Sequence, residues 1–358
     1  MAGPPSPGAL ADGVAGGRQA AAGSVLMQGR YRALALVGRG AFGSVRLCAA
    51  EDGRRVAVKA LQPEAGRGTR EAELLGKVRH PCVVPLLEAF EAPGADGRPA
   101  EHLVMEYLPG NLHGRIGGRP LDPETLRCFA FQLLRALAQL HGMGICHRDV
   151  KPENILVDGL RLKLGDFGSA KVLDQGPSSS CVCTRWWRAP ELVLGSTSYG
   201  TSVDWWSCGC VLAEMMLGEP LFKGESSWGQ LYEILRALGT PGAEEARALL
   251  PRRGGGRLAE HLRRLAGLGR PGRRWEELLP AYASLPGALE LPARLLAYDP
   301  AGRLPPAEAL LRPFVAAFAE SAGPLPPEVF ELTEEELRPC GQDARQALLG
   351  LAARGAAA

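Results

Sequence analysis

The chain has no run approaching the roughly 18 consecutive apolar residues that a membrane helix needs. It has no charged-then-apolar signal region near its N-terminus. Residue 2 is Ala, so the Gly needed for myristoylation is missing. The formal net charge is only +2, too small by itself to argue for nucleic acid or an acidic membrane as a partner. Nine cysteines are an odd number, which excludes a complete disulfide framework and fits a reduced setting. Cys181-Val-Cys183 and Cys208-Gly-Cys210 are C-x-C, not the C-x-x-C of zinc ribbons, and no His pair accompanies them. A structural metal is therefore not expected.

What is present is enough for two sizeable lobes: 358 residues, 46% hydrophobic and 22% charged. Residues 1–28 are rich in Gly, Ala and Pro and read as a disordered tail. Strand signals follow at Tyr31–Val37, Ser44–Cys48, Val56–Lys59 and Leu103–Tyr107, with a short helix expected at Thr69–Lys77. The character then changes. Asp122-Pro123 forms a good cap and first turn, and Leu126, Phe129, Leu133, Leu137 and Leu140 follow at helical spacing until Gly142. Asp204–Leu217 and Trp228–Leu238 also read as helices. A small β-rich lobe joined near residues 106–110 to a larger helical one is an α+β, bilobal arrangement. Residues 251–274 are rich in Arg and Gly and read as a flexible surface insert, the alternative being a dock for an acidic partner. Residues 335–358 read as a loosely ordered tail.

The chemistry concentrates between residues 146 and 171. Asp149, Lys151 and Asn154 follow His147-Arg148, and Asp166-Phe167-Gly168 comes after the short strand signal Leu160–Leu164. Transfer of a phosphoryl group needs this assortment. One carboxylate receives a hydroxyl proton, a second carboxylate and an amide oxygen hold Mg²⁺, and a cation steadies the moving charge. Upstream, Gly38-Arg39-Gly40-Ala41-Phe42-Gly43-Ser44-Val45 fits G-x-G-x-x-G-x-V. Dinucleotide-binding folds use similar glycines, but there the last Gly opens a helix. Here strand signals stand on both sides, so the loop can lay backbone N–H groups over phosphates.

These segments resemble a eukaryotic protein kinase catalytic domain. Ala189-Pro190-Glu191, Asp204-Trp205-Trp206 and Arg303 extend the pattern, with Glu191 and Arg303 expected as a buried ion pair and Asp204 as a brace of the catalytic loop. The stretch Phe167-Gly168-Ser169-Ala170-Lys171, with Arg185-Trp186-Trp187-Arg188 and Leu238-Gly239-Thr240-Pro241, is similar to the glycogen synthase kinase-3, or shaggy-like, family of the CMGC group. The resemblance implies an ATP- and Mg²⁺-dependent serine/threonine kinase spanning residues 29–318, with an N-lobe at 29–107, a C-lobe at 108–318 and an extension at 319–358.

It further implies catalysis by Asp149, Lys151, Asn154 and Asp166, with Asn154 and Asp166 holding the metal. ATP would be bound by Val37, Gly38, Arg39, Gly40, Ala41, Phe42, Gly43, Ser44, Val45, Ala57, Lys59, Glu71, Met105, Glu106, Tyr107 and Leu108. Met105 would be the gatekeeper. Glu71 is preferred over Glu73 as the partner of Lys59 because its spacing to Lys77 and His80-Pro81 suits the kinase helix. That family uses protein substrates already phosphorylated four residues C-terminal to the target. Its phosphate pocket maps onto Arg70, Arg148 and Lys171, all still basic here. Nucleic-acid and membrane partners are not expected, and the location implied is cytoplasmic or nuclear.

The chain departs from the family in three places. Cys181 stands where the activation-loop Tyr is found. Ser6 has no upstream basic residues, which leaves an inhibitory N-terminal pseudosubstrate unsupported. The Arg/Gly insert lies where scaffold helices dock, so scaffold partners are not carried over. Two alternatives stay open: an unprimed kinase of the cyclin-dependent or mitogen-activated type, and a weakly active kinase-fold scaffold.

Overall fold

The computed structural model describes residues 25–357 except 27–28, 41–42, 62–66, 94–98, 174–178, 181, 252–255 and 322–324. Residues 1–24 and 27–28 of the expected N-terminal tail, Ser6 among them, lie outside the described residues, as do Cys181 and Ala41 and Phe42 of the glycine loop, whereas Val25–Leu26 of that expected tail form a strand paired with Tyr31–Arg32. The chain divides into two compact units, residues 1–65 with 87–107 and residues 66–86 with 108–358.

The first unit is a six-stranded sheet. Its strands are β1 (Val25–Leu26), β2 (Tyr31–Gly40), β3 (Gly43–Ala50), β4 (Arg55–Leu61), β5 (Leu86–Pro93) and β6 (Pro99–Glu106), ordered β1-β2-β3-β4-β6-β5. Tyr31, Cys48, Val56, Val58 and Val104 form a core cluster on which Phe90 packs. The Tyr31 and Phe90 rings stack with centroids 5.9 Å apart. The Tyr31 hydroxyl donates to Glu88 Oε2 at 2.6 Å, so the polar tip of a buried ring finds its partner. The alternating burial of β5 was not read from the sequence, because its apolar residues are interleaved with Glu88 and Glu91.

The second unit opens with α1 (Arg67–Lys77). It continues through β7 (Gly110–Asn111), α2 (Leu112–Ile116), α3 (Pro123–Gly142), β8 (Ile145–Cys146), β9 (Ile155–Asp158), β10 (Arg161–Leu164) and β11 (Lys171–Val172). Then come α4 (Pro190–Val193), α5 (Ser202–Leu217), α6 (Ser227–Leu238), α7 (Ala243–Leu249), α8 (Gly256–Leu265), α9 (Trp275–Leu278), α10 (Glu290–Leu295), α11 (Pro306–Ala309), α12 (Pro313–Glu320), α13 (Glu334–Leu337) and α14 (Gln342–Ala357). The central helix is α3. Asp122 caps it by accepting the Thr125 N–H at 2.9 Å, and Pro123 occupies the first turn. Leu126, Phe129, Leu133, Leu137 and Leu140 are fully buried along its length. Gly142 does more than end the helix. A Cβ there would lie 1.7 Å from the Glu335 carbonyl oxygen, so only Gly lets the C-terminal segment approach.

Two expectations are corrected. Residues 335–358 are not a loose tail: they carry the end of α13 and all of α14, with Leu337, Leu348 and Leu351 buried. The attachment is polar and long-range. Arg135 of α3 grips Glu336 through both guanidinium edges, with Nε to Oε1 at 2.7 Å, and donates to the Val329 and Glu331 carbonyls. His80 Nε2 lies 3.5 Å from the same carboxylate. Burial alone would raise the Glu336 pKa, but the His80 ring beside it and the hydrogen bonds and charge of Arg135 hold it down at about 2. The Arg/Gly-rich insert is likewise not wholly irregular, since α8 buries Leu258, Ala259 and Leu262. Its basic residues hid an apolar face at helical spacing.

Candidate active site

In the first unit, the glycine motif closes the β2–β3 hairpin. Gly40 pairs with Gly43, and Ser44 with Arg39. At Gly43 φ is 149°, and a Cβ would meet the Ala60 carbonyl oxygen at 2.0 Å. Glycine is thus required where the hairpin crosses β4. Val37, Gly38 and Val45 lie on the same two strands. Lys59 pairs with Val45 on one side and Leu103 on the other, and Ala57 pairs with Met105 and Val56 with Glu106. The antiparallel register therefore brings Val45, Lys59 and the strand leading to Met105 together. Tyr107 ends the first unit, whereas Leu108, Arg70 and Glu71 belong to the second.

The second unit assembles the phosphoryl-transfer residues. Asn154 Nδ2 donates to the Asp149 carbonyl at 2.8 Å and to Asp149 Oδ2 at 3.0 Å. Its amide oxygen is left as an acceptor. Lys151 Nζ lies 2.8 Å from Asp149 Oδ2. The Gly165 N–H donates to the Asn154 carbonyl at 2.9 Å, tying the Asp166 turn to the catalytic loop. His147 links the same parts. Its Nδ1 accepts the Asp149 N–H at 3.3 Å, which leaves Nε2 to donate to the Gly165 carbonyl at 2.9 Å. Its ring meets Phe167 edge-on at 5.2 Å.

Among the described residues, three non-glycine residues occupy the left-handed region, and all three lie here: Arg148 at φ 64°, Asp166 at φ 57° and Cys183 at φ 63°. Such conformations persist only where surrounding bonds hold them. For Arg148 the bond is to buried Asp204, which also accepts the His147 N–H and the His141 Nε2 hydrogen. Burial pushes the Asp204 pKa up, but the hydrogen bond from His141, with the backbone N–H of Arg148, leaves it below the ordinary value. Arg303 makes the expected pair with Glu191, with two contacts of 2.7 Å, and lies over the Trp206 ring. This anchors the end of the activation segment to the helical unit.

Thr184 was not singled out from the sequence. Its hydroxyl donates to Asp149 Oδ1 at 2.9 Å and accepts from Lys151 Nζ at 2.9 Å, while its N–H donates to Asp149 Oδ1 at 3.0 Å. A lone Thr thirty-five residues from Asp149 carries no local signal; only the return of the activation segment brings it there.

Arg70, Arg148 and Lys171 converge in the same unit. Lys171 is placed by β11, where it pairs with Cys146 beside the catalytic loop. Arg148 Nε donates to the Ser169 carbonyl at 2.7 Å. Arg70 Nε and Nη2 are buried and have no hydrogen-bond partner among the described residues. Burial and the Arg148 charge lower the Arg70 pKa. Lys171 is lowered by burial, then by Arg148 and Arg70. Burial is the larger cause of both shifts, and the neighbouring cations add to it, an arrangement that favours an anion.

A β-sheet unit bearing a glycine hairpin and a buried Lys, and a helical unit bearing this carboxylate–amide–lysine set, define a protein kinase. The protein kinase domain family matches residues 31–315. The chain is also 38% identical over 297 residues to "Protein kinase gsk3" of Schizosaccharomyces pombe, a match covering 79% of this chain and 73% of that relative. The chain therefore belongs to the protein kinases and, within the CMGC group, to the glycogen synthase kinase-3 family; it is a protein serine/threonine kinase. No helix among the described residues is long and apolar enough to cross a membrane.

Proposed function

We propose that this kinase moves the γ-phosphoryl group of Mg²⁺-bound ATP onto Ser or Thr of intracellular proteins that already carry a phosphate. Asp149 orients the hydroxyl and receives its proton, and Lys151 balances charge on the transferring group. Asp166 and the Asn154 amide oxygen suit Mg²⁺, which binds through one or two carboxylates and completes its shell with water and substrate phosphates. When bound, Mg²⁺ offsets the charge of the β- and γ-phosphate oxygens. The backbone of Val37–Val45 covers the phosphates, Lys59 holds them, and Glu71 is given to Lys59 by the family pattern. Ala57 and the segment Met105–Leu108 take the adenine.

One observation carries the primed reading: two buried Arg70 donors without partners stand next to Arg148 and Lys171. A phosphate oxygen supplies what those donors lack, and its double charge relieves the repulsion among the cations. The test is a pair of peptides differing only by a phosphate four residues after the target. The primed peptide is expected to have at least tenfold higher kcat/KM, and Arg70→Ala to bring the two towards equality. Equal turnover by the unaltered enzyme would sink the primed reading. An Asp166→Asn chain that still transferred phosphate at the normal rate would sink the assignment of the metal.

A further inference from the structure

Asp204 carries a side-chain partner besides the two backbone N–H groups it braces. His141 Nε2 lies 3.0 Å from Asp204 Oδ2, and Trp205 Nε1 donates to His141 Nδ1 at 2.9 Å. An indole can only donate, and a neutral imidazole has one donor and one acceptor nitrogen. The Trp205 N–H therefore makes Nδ1 the acceptor, and the single imidazole proton sits on Nε2, aimed at Asp204. A second proton, on Nδ1, would meet the indole hydrogen head-on. Among the described residues, Trp205 alone donates to Nδ1. The His141 side chain is only 6% exposed, so water does not take the place of the indole. The other titratable and charged groups at this end of α3 are His147 and Arg148 in the catalytic loop and the Cys146 thiol beside Asp204. From the C-terminal segment, Arg338 donates to the Gly142 carbonyl and pairs with Glu335.

We propose that Trp205 is a positioning residue for phosphoryl transfer: its indole N–H locks His141 as the neutral imidazole with its proton on Nε2, and so keeps the Asp204 charge undivided beneath the turn that presents Asp149. The proposal rests on Asp149 being the proton acceptor. Asp204 grips the turn where Arg148 is held at φ 64°, one residue before Asp149. Without the indole N–H, the ring can move its proton to Nδ1, which sets a bare Nε2 against a carboxylate oxygen. It can also take a second proton as the pH falls through the range where histidines charge. The imidazolium then draws Asp204 Oδ2 towards itself. The His147 N–H, which shares that oxygen at 2.7 Å, loses its hold. Either change loosens the strained turn, so Asp149 meets the substrate hydroxyl in the right geometry less often. The brace belongs to the kinase pattern; the lock upon it is set by the indole at position 205.

The experiment uses Trp205→Phe in the full chain, which keeps a ring and removes the N–H. With a peptide that carries no phosphate, kcat should fall about fivefold or more at pH 6 relative to the unaltered chain, and less at pH 8. KM for ATP should hold. Nitrogen NMR of the unaltered chain should show His141 protonated on Nε2 and bare on Nδ1 from pH 8 down to pH 6. The Phe variant should gain a proton on Nδ1 within that range. His141→Gln leaves an amide that can donate to Asp204 and does not titrate. In that background Trp205→Phe should cost little further kcat, because nothing remains to lock. If the Phe variant does not fold, benzothienylalanine encoded at position 205 makes the same test, with a sulfur where the N–H stood. A proton on Nδ1 of the unaltered chain at pH 7 overturns the lock. A kcat equal to that of the unaltered chain at both pH values overturns the positioning role. So does an equal fall in kcat with and without His141, which would make Trp205 a packing residue. Failure of the Asp149 assignment is visible separately, as an Asp149→Asn chain that keeps the normal rate.

Discussion

Asp204 holds Arg148 in the left-handed region: its Oδ1 accepts the Arg148 N–H at 2.8 Å, where φ is 64°. The other carboxylate oxygen takes the His147 N–H at 2.7 Å and the His141 Nε2 hydrogen at 3.0 Å. Trp205 Nε1 donates to His141 Nδ1 at 2.9 Å, which fixes the tautomer that faces Asp204. Asp204→Asn turns one acceptor oxygen into a donor against a buried N–H. The expected cost is about 1–3 kcal/mol of stability. Because the strained turn precedes Asp149, kcat should fall more than KM for ATP changes. Denaturant unfolding and steady-state kinetics read the two effects.

Thr184 joins the proton acceptor to the phosphate-steadying cation. Thr184→Val keeps the backbone bond to Asp149 but removes the hydroxyl that links Asp149 and Lys151. A hydrogen bond to a charged group contributes about 1.5–3 kcal/mol, so a fall in kcat of roughly tenfold or more is expected. KM for ATP should hold, and Thr184→Ser should retain most of the rate. A Val variant with full kcat would leave Thr184 a packing residue.

The Arg135–Glu336 pair fastens the C-terminal segment to α3. Removing one partner of a buried pair typically costs about 3–5 kcal/mol, because the other charge is left uncompensated. Glu336→Gln should lose that order of stability at pH 7 and speed hydrogen exchange in residues 328–338. The folded pKa of about 2 is below the ordinary 4.5, so the contribution is complete above pH 4.5 and is lost as pH falls towards 2. The gap between wild type and variant should therefore close with acid, as followed by denaturation between pH 3 and 7.

Glu214 should behave in the opposite sense. Burial raises its pKa to about 8, partly offset by the Trp187 indole N–H at 2.9 Å. Between pH 4.5 and 8 the folded chain keeps a proton that the unfolded chain releases, so stability falls as pH rises. Glu214→Gln keeps an acceptor for Trp187 without a titrating group. The variant should gain on wild type as pH rises from 5 to 8, as measured by thermal unfolding across that range.

Several features of the fold and the site are readable in the chain because local rules govern them. The Asp122 cap and the Leu126–Leu140 stripe announce α3, since helical spacing and capping act within a few residues. The glycine motif and the strands around it follow for the same reason, as does the grouping of Asp149, Lys151 and Asn154 within one turn of chain. The C-terminal segment was misread because α14 has no strong amphipathic pattern, and its anchor Glu336 meets Arg135 across 201 positions.

By itself the sequence determined the residue types of the chemistry and their order. It supplied the carboxylates, the amide, the lysines, the glycines and three basic residues scattered from position 70 to position 171. Tertiary structure decided which of them share one environment. It brought Thr184 onto Asp149, set Asp204 beneath a strained Arg148, and left two Arg70 donors buried without partners next to two other cations. The physical reason is range. Propensity and spacing act over a few residues, whereas burial and repulsion between charges depend on distances through space that only the folded chain defines.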